Sequence, residues 1–337
     1  MTDNATNVAA AQSAAADFRN VHERIKSEVQ EVIVGQQAAI DSVLTALLVG
    51  GHVILEGVPG LGKTMLIRAL GEAVDISFSR IQFTPDMMPA DIQGTNILVD
   101  DEDGHHTVQF QEGPLVANLV LADEINRATP KTQSALLEAM QERQISVGKR
   151  TIKLAEPFCV MATQNPVEQE GTYPLPEAQL DRFLFKVVVG YPQESEYKDI
   201  LNRTTGTTEQ TAKHVSNGEE IMRMREVVRS VPVPEHVQDD AVRLIVGTQP
   251  NSAHACDMVN DNILLGSSPR GAQGLLLSGK VRALLDGRFA VSSDDIRASA
   301  HDVLRHRIMV NFQGQADGVT PDHVISAVLE HVKPPSS

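Results

Sequence analysis

Tryptophan is absent from the chain, and only three tyrosines and nine phenylalanines occur among its 337 residues. So few stacking platforms disfavour a surface built to grip single-stranded nucleic acid. Positive charge is also short. Against 44 aspartates and glutamates stand 29 lysines and arginines, a formal net charge of −15. Proteins that hold phosphodiester backbones display a basic face, so no nucleic acid partner is expected, although a local basic patch is compatible with the total. The two cysteines, Cys159 and Cys256, are far apart in sequence. Cys159 lies in an apolar run, which favours a buried thiol over a disulfide or a metal ligand. No apolar run reaches the ~18 residues of a membrane span. Residues 1–17 lack the basic segment of a secretory signal, so the cytoplasm is the default expectation. Their Ala-, Asn- and Ser-rich composition reads as a disordered tail over residues 1–19.

What is present points first to phosphate. Gly57-Val58-Pro59-Gly60-Leu61-Gly62-Lys63-Thr64 fits G-x-x-x-x-G-K-[ST] and has the context that pattern requires. The run His52-Val53-Ile54-Leu55-Glu56 reads as a strand entering the loop. Residues 65–74, opening on Met65, read as a helix leaving it, with Leu66, Leu70 and Val74 at four-residue spacing. The glycines let the backbone curl so that its N–H groups converge on an anion at a helix N-terminus. Lys63 then reaches the β- and γ-phosphates of a nucleotide, and the Thr64 hydroxyl is placed to ligate Mg²⁺.

The rest of the chain divides by pattern. Val21, Ile25 and Val29 mark one helical face, and Ile40, Val43, Leu44 and Leu47 mark a second after a turn at Val34-Gly35-Gln36. Short apolar strands at residues 119–122 and 158–162 alternate with helices, which argues for a parallel, doubly wound sheet. Two hairpins interrupt the alternation. One pairs residues 97–99 with 107–110 across the acidic tip Asp100, Asp101, Glu102 and Asp103. The other pairs residues 144–147 with 150–154 across Gly148-Lys149. Beyond Tyr191-Pro192 the pattern is helical, over residues 221–231, 235–246, 271–285, 293–305 and 321–331, so a smaller all-α domain is expected from about residue 192 onward.

Leu119-Val120-Leu121-Ala122-Asp123-Glu124 is an apolar strand ending in two carboxylates. Phosphoryl transfer to water needs a metal held in place and a nucleophile oriented and deprotonated. Asp123 at the strand end is placed for the Mg²⁺ shell, and Glu124 to polarise the attacking water. The strand at residues 160–164 leads into Asn165-Pro166. Asn165 reads either as a turn initiator or as a group touching the γ-phosphate or its water, and the chain order favours the second.

The order of phosphate loop, Asp-Glu strand, Asn-ending strand and Leu180-Asp181-Arg182-Phe183 resembles the AAA+ ATPases. Asp123-Glu124-Ile125-Asn126-Arg127-Ala128, Glu138-Ala139-Met140-Gln141-Glu142 and the run from Asn165-Pro166-Val167-Glu168 to Arg182-Phe183 look like one family within them, the MoxR ATPases. The match is dense over residues 30–190 and thinner beyond, where it rests on Ser268-Pro269-Arg270-Gly271. It implies an αβα ATPase core over residues 20–191 with a parallel sheet and two hairpin inserts, then an all-α lid over 192–337. It implies ATP and Mg²⁺ as ligands, with Val34 and Gly35 flanking the adenine and residues 57–65 around the phosphates. It implies a ring, usually a hexamer, with ATP between neighbours. Arg182 then corresponds to the arginine finger, its alternative being a salt bridge to Asp181 or a nearby carboxylate. Arg270 corresponds to the sensor arginine of the lid, its alternative being a surface arginine, and the resemblance leaves open whether it serves its own subunit or a neighbour. Val116 departs from the aromatic common in the family after Gly113-Pro114-Leu115.

The expected activity is ATP hydrolysis driving chaperone-like remodelling or maturation of partner proteins, often with a von Willebrand factor A domain protein. Two rivals stand beside it. One is a nucleic-acid translocase, which the acidic balance and acidic hairpin tip oppose. The other is a nucleotide-gated scaffold with slow turnover.

Overall fold

Apolar residues run without interruption through the central strands because both faces of the sheet are covered. The computed structural model describes residues 2–100, 106–148, 150–165, 171–205 and 210–334. Strands β1 (Val53–Glu56), β2 (Phe78–Gln82), β5 (Leu119–Asp123), β8 (Cys159–Gln164) and β9 (Phe185–Val188) form one parallel sheet in the order β2-β5-β8-β1-β9. Their side chains alternate between two cores. Val53, Leu55, Leu119, Leu121, Cys159 and Met161 face one; Ile54, Val120, Ala122, Val160 and Ala162 face the other. The expected strands are all present. Strands β2 and β9 complete the sheet at its two edges.

The first core is closed by α1 (Thr2–Val32), α2 (Gln37–Val49) and α3 (Lys63–Val74), the second by α4 (Pro89–Gln93) and α5 (Pro130–Glu142). The two expected hairpins are β3 (Gly94–Asp100) with β4 (His106–Glu112), and β6 (Gln144–Val147) with β7 (Arg150–Lys153), both antiparallel. Asp101, Glu102, Asp103 and Lys149, which belong to the hairpin tips read in the sequence, lie outside the described residues.

The tail expected over residues 1–19 is instead part of α1, which runs from Thr2 and buries Ala15 and Phe18 completely. Alanine is the strongest helix former, and Phe18, Val21, Ile25 and Val29 continue one apolar face into the first core. The composition that suggested disorder is the composition of a helix with a docking stripe.

After α6 (Glu177–Leu180) and β9, the chain becomes helical: α7 (Glu194–Thr204), α8 (Gly218–Ser230), α9 (Glu235–Gly247), α10 (Asp257–Asn262), α11 (Pro269–Leu285), α12 (Ser293–Ala298), α13 (Ala300–Leu304), α14 (Phe312–Ala316) and α15 (Pro321–His331). The helix expected over 293–305 is two, broken at Ser299, where ψ of 0° leaves the helical region. Two short strands, β10 (Ile263–Leu265) and β11 (Met309–Val310), pair within this otherwise helical part. Ile221, Val228, Leu275 and Val303 share one core with Phe18, Ile40 and Leu44 of α1 and α2. Among the described residues no helix is long and apolar enough to cross a membrane.

Candidate active site

The phosphate loop joins β1 to α3 at the carboxyl end of the sheet. Gly60 and Gly62 adopt φ of 85° and 74°, left-handed values that any side chain would strain. Gly57 answers a different need, since a Cβ there would lie 2.6 Å from the Val189 carbonyl oxygen. Lys63 opens α3 and is nearly buried. Its ammonium donates to the carbonyls of Gly57, at 2.5 Å, and Val58, at 3.3 Å, which curls the loop around it. Burial holds the Lys63 pKa below its ordinary value, and the carboxylates of Asp123, Glu124 and Glu56 oppose that shift.

Opposite the loop stand the ends of β5, β8 and β2. A cleft of about 320 Å³ is lined by residues 59–65 and by Arg80, Gln82, Asp123, Glu124, Thr163, Gln164 and Asn165. The structure thus brings Lys63, Thr64, Met65, Asp123, Glu124 and Asn165 together as the sequence led one to expect. Residues 166–170, which follow Asn165 in the motif, lie outside the described residues. Val34 and Gly35 sit in the turn between α1 and α2, and the next residue, Gln36, ties that turn to the loop by donating to the Leu61 carbonyl at 2.5 Å. Gly35, at φ 68°, lies under the Glu196 carboxylate of α7, in a left-handed conformation that a side chain would strain.

The two carboxylates are held by residues that sequence reading gave no role. Asp123 Oδ1 accepts from the Thr163 hydroxyl at 2.5 Å, and Oδ2 accepts from Arg80 Nη2 at 2.7 Å and Nε at 3.2 Å. Glu124 Oε2 accepts from Gln82 Nε2 at 2.8 Å and Arg127 Nη1 at 2.9 Å, and the Glu124 amide donates to Thr163 Oγ1 at 2.9 Å. Glu124 itself sits at φ 57°, ψ 48°. A non-glycine residue in the left-handed region is strained, and such strain concentrates at functional positions. It turns the carboxylate out of the strand direction and into the cleft. The signal for Arg80 and Gln82 lay in Phe78-Ser79-Arg80-Ile81-Gln82, where alternate residues put both polar side chains on one face of an edge strand.

The donor set suits Mg²⁺. Thr64 and Asp123 offer a hydroxyl and a carboxylate from opposite walls, and among the described residues no cluster of three or more His, Cys, Asp or Glu offers a closed cage. Magnesium is usually bound through one or two protein oxygens together with substrate phosphates and water.

Arg182 and Arg270 do not line this cleft. Arg182 donates to the Leu137 carbonyl at 2.8 Å, beside a small hollow that also includes Glu138, Glu142 and Gln179. It does not take the ion pair with Asp181 that its sequence neighbour offers. Asp181 instead binds the helical part, accepting from Arg307 Nε at 2.9 Å and from Ser268 Oγ at 2.9 and 3.0 Å, with Arg270 Nη1 at 3.6 Å. Arg270 thus reaches the residue that precedes Arg182 in the chain.

Comparison with known proteins places this arrangement. A family model described as the ATPase family associated with various cellular activities matches residues 52–185, and an AAA lid domain model matches residues 257–328. The protein Chaperone MoxR1 of Mycobacterium tuberculosis is 44% identical over 313 residues, covering 93% of this chain and 82% of that one. The chain belongs to the MoxR family of AAA+ ATPases. Protein MoxR of Methylorubrum extorquens is 31% identical, with 95% of this chain and 96% of that one covered. A solved structure of a candidate ATPase from Cytophaga hutchinsonii superposes with a TM-score of 0.90 at 36% identity, over 98% of this chain and 99% of that one. For a MoxR-family chain the first model spans the phosphate loop through Arg182, and the second includes Arg270.

Proposed function

We propose that the chain binds ATP with Mg²⁺ in the cleft between residues 57–65 and Asp123-Glu124 and hydrolyses it as a member of a ring. The observation that carries this reading is the convergence of Lys63, Thr64, Asp123, Glu124 and Asn165 on one cleft. Lys63 meets the β- and γ-phosphates. Thr64 and Asp123 would hold Mg²⁺, which would neutralise charge developing on the transferred group. Glu124 accepts the proton of the attacking water once its bonds to Gln82 and Arg127 yield, and Asn165 orients that water. Val34 and Gly35 flank the adenine.

The site is half of a shared one. Arg182 and Arg270 lie away from their own cleft on a partly exposed face, so we assign both to a neighbouring subunit's nucleotide, in a ring that is a hexamer by family habit. An arginine finger adds about 10³ to 10⁵ in rate. The work done is the remodelling or maturation of partner proteins in the cytoplasm, with a von Willebrand factor A domain protein as the companion. The name of the M. tuberculosis relative supports the chaperone part. The acidic balance of the chain supports a protein rather than a nucleic acid as client.

The test is Glu124→Gln. This variant keeps nucleotide affinity and loses turnover by at least about 10², the scale of general base catalysis. Unimpaired phosphate release would remove Glu124 from its role. Stimulation of the wild-type activity by DNA or RNA at moderate salt would favour a translocase instead.

A further inference from the structure

Arg80 projects from the edge strand β2 into the same cleft as the nucleotide-binding residues, yet it belongs to none of the motifs above. Two of its N–H groups converge on a single oxygen, Asp123 Oδ2. The other carboxylate oxygen is already taken by Thr163. Both oxygens of the aspartate assigned to the metal shell therefore already carry a partner, and its cation partner is a guanidinium. A divalent ion and a guanidinium on the same carboxylate oxygen repel strongly at such separations. Binding of the one therefore favours release of the other. The Arg80 side chain is about half exposed, so it can swing into solvent without breaking a core contact, whereas Asp123 and Thr163 are fixed by adjacent strands.

The same guanidinium also reaches sideways. Arg80 Nη2 donates to Gln82 Oε1 at 2.7 Å, and Gln82 Nε2 holds Glu124 Oε2. A continuous chain of hydrogen bonds thus runs from Thr163 through Asp123, Arg80 and Gln82 to Glu124. Loss of Arg80 from Asp123 removes the group that orients the Gln82 amide, and with it part of the hold on Glu124.

We propose that Arg80 is a positioning residue, the resting counter-ion of Asp123, which Mg²⁺ displaces and which thereby sets how much Mg²⁺ the site requires. This rests on the ATPase reading of the cleft. A role in stability alone would leave the metal requirement unchanged.

The experiment measures binding of a fluorescent ADP analogue to the full chain while free Mg²⁺ is titrated, for the wild type, Arg80→Ala and Arg80→Lys. The metal–nucleotide equilibrium in solution is common to all three, so a shift between them belongs to the protein. Arg80→Ala should lower the half-saturating Mg²⁺ concentration by roughly three- to tenfold. Arg80→Lys, which keeps the cation, should stay near the wild type. A midpoint that Arg80→Ala leaves unmoved or raises, or that both variants shift equally, overturns the proposal while leaving the ATPase reading intact. A wild-type chain that binds no nucleotide at any Mg²⁺ concentration removes both.

Discussion

At the carboxyl end of the sheet Lys63, Asp123, Glu124 and Thr163 surround a cleft, while at the amino end His52 and Arg143 fill the space between β1, β8 and α5. Both places gather buried charge and hydrogen bonds, and burial alone does not separate them. Their partners do. His52 is bonded on both sides to backbone, with the Val160 amide donating to Nδ1 at 2.9 Å and Nε2 facing the Met140 carbonyl at 3.1 Å. Arg143 donates to the carbonyls of Phe158 and Gly50 and lies over the Phe158 ring, 5.6 Å from its centre. Those groups cannot be exchanged without opening the sheet. In the cleft, by contrast, the carboxylates are held largely by Arg80, Gln82 and Arg127, side chains that can rotate away. Carboxylates whose side-chain partners a ligand can replace read as a site; a ring and a guanidinium locked to the backbone of the sheet read as structure.

This contrast is broken most severely by Lys63→Ala. Nucleotide affinity should fall on the order of 10²- to 10³-fold, as when one partner of a desolvated charge pair is removed, with the thermal midpoint unchanged or raised. A variant that unfolds instead would mean that the lysine belongs with the structural cluster. His52→Ala should do the reverse. It strands a buried amide and a buried carbonyl and opens a cavity, costing about 2–5 kcal/mol of stability, while Mg²⁺-nucleotide affinity at a temperature where the variant is folded stays within about twofold of the wild type.

A smaller effect follows from acid. Burial pushes the His52 pKa down to about 3, with the nearby Arg143 charge acting the same way. The folded ring stays neutral while the unfolded one takes up a proton near pH 6.5. Its contribution to stability is therefore fully present above pH 6.5 and is lost as pH falls toward 3. His306, also buried and held well below its ordinary value, contributes with the same sign. Acid titration of unfolding should show a shallower loss in a His52→Gln variant than in the wild type between those limits. An identical slope would place the ring's titration outside the folding equilibrium.

Much of the fold was legible in the sequence because its strands are continuous apolar runs and its phosphate loop is a fixed pattern. What was not legible has identifiable causes. β2 lies at the sheet edge and buries only Ile81 fully, so it carried little apolar signal. Arg80 and Gln82 were lost with it. The start of α1 was hidden because an alanine-rich segment reads as a tail unless its docking face is seen. The left-handed turn at Glu124 is a tertiary demand, since no local preference of glutamate predicts it. Lys63, Thr64, Asp123, Glu124 and Asn165 were readable because chain order encodes their convergence. Arg182 and Arg270 were readable only by family likeness, because neither lines the cleft of its own chain.

The central claim is that the cleft of one subunit is completed by the arginines of another, and mixing two inactive variants tests it directly. Glu124→Gln leaves the finger intact and disables the cleft; Arg182→Ala does the opposite. Assembled together in equal amounts, they should recover activity at the interfaces that pair an intact cleft with an intact finger, about a quarter of the total for random order in a closed ring. A mixture no more active than the sum of the two variants measured separately would contradict the shared site.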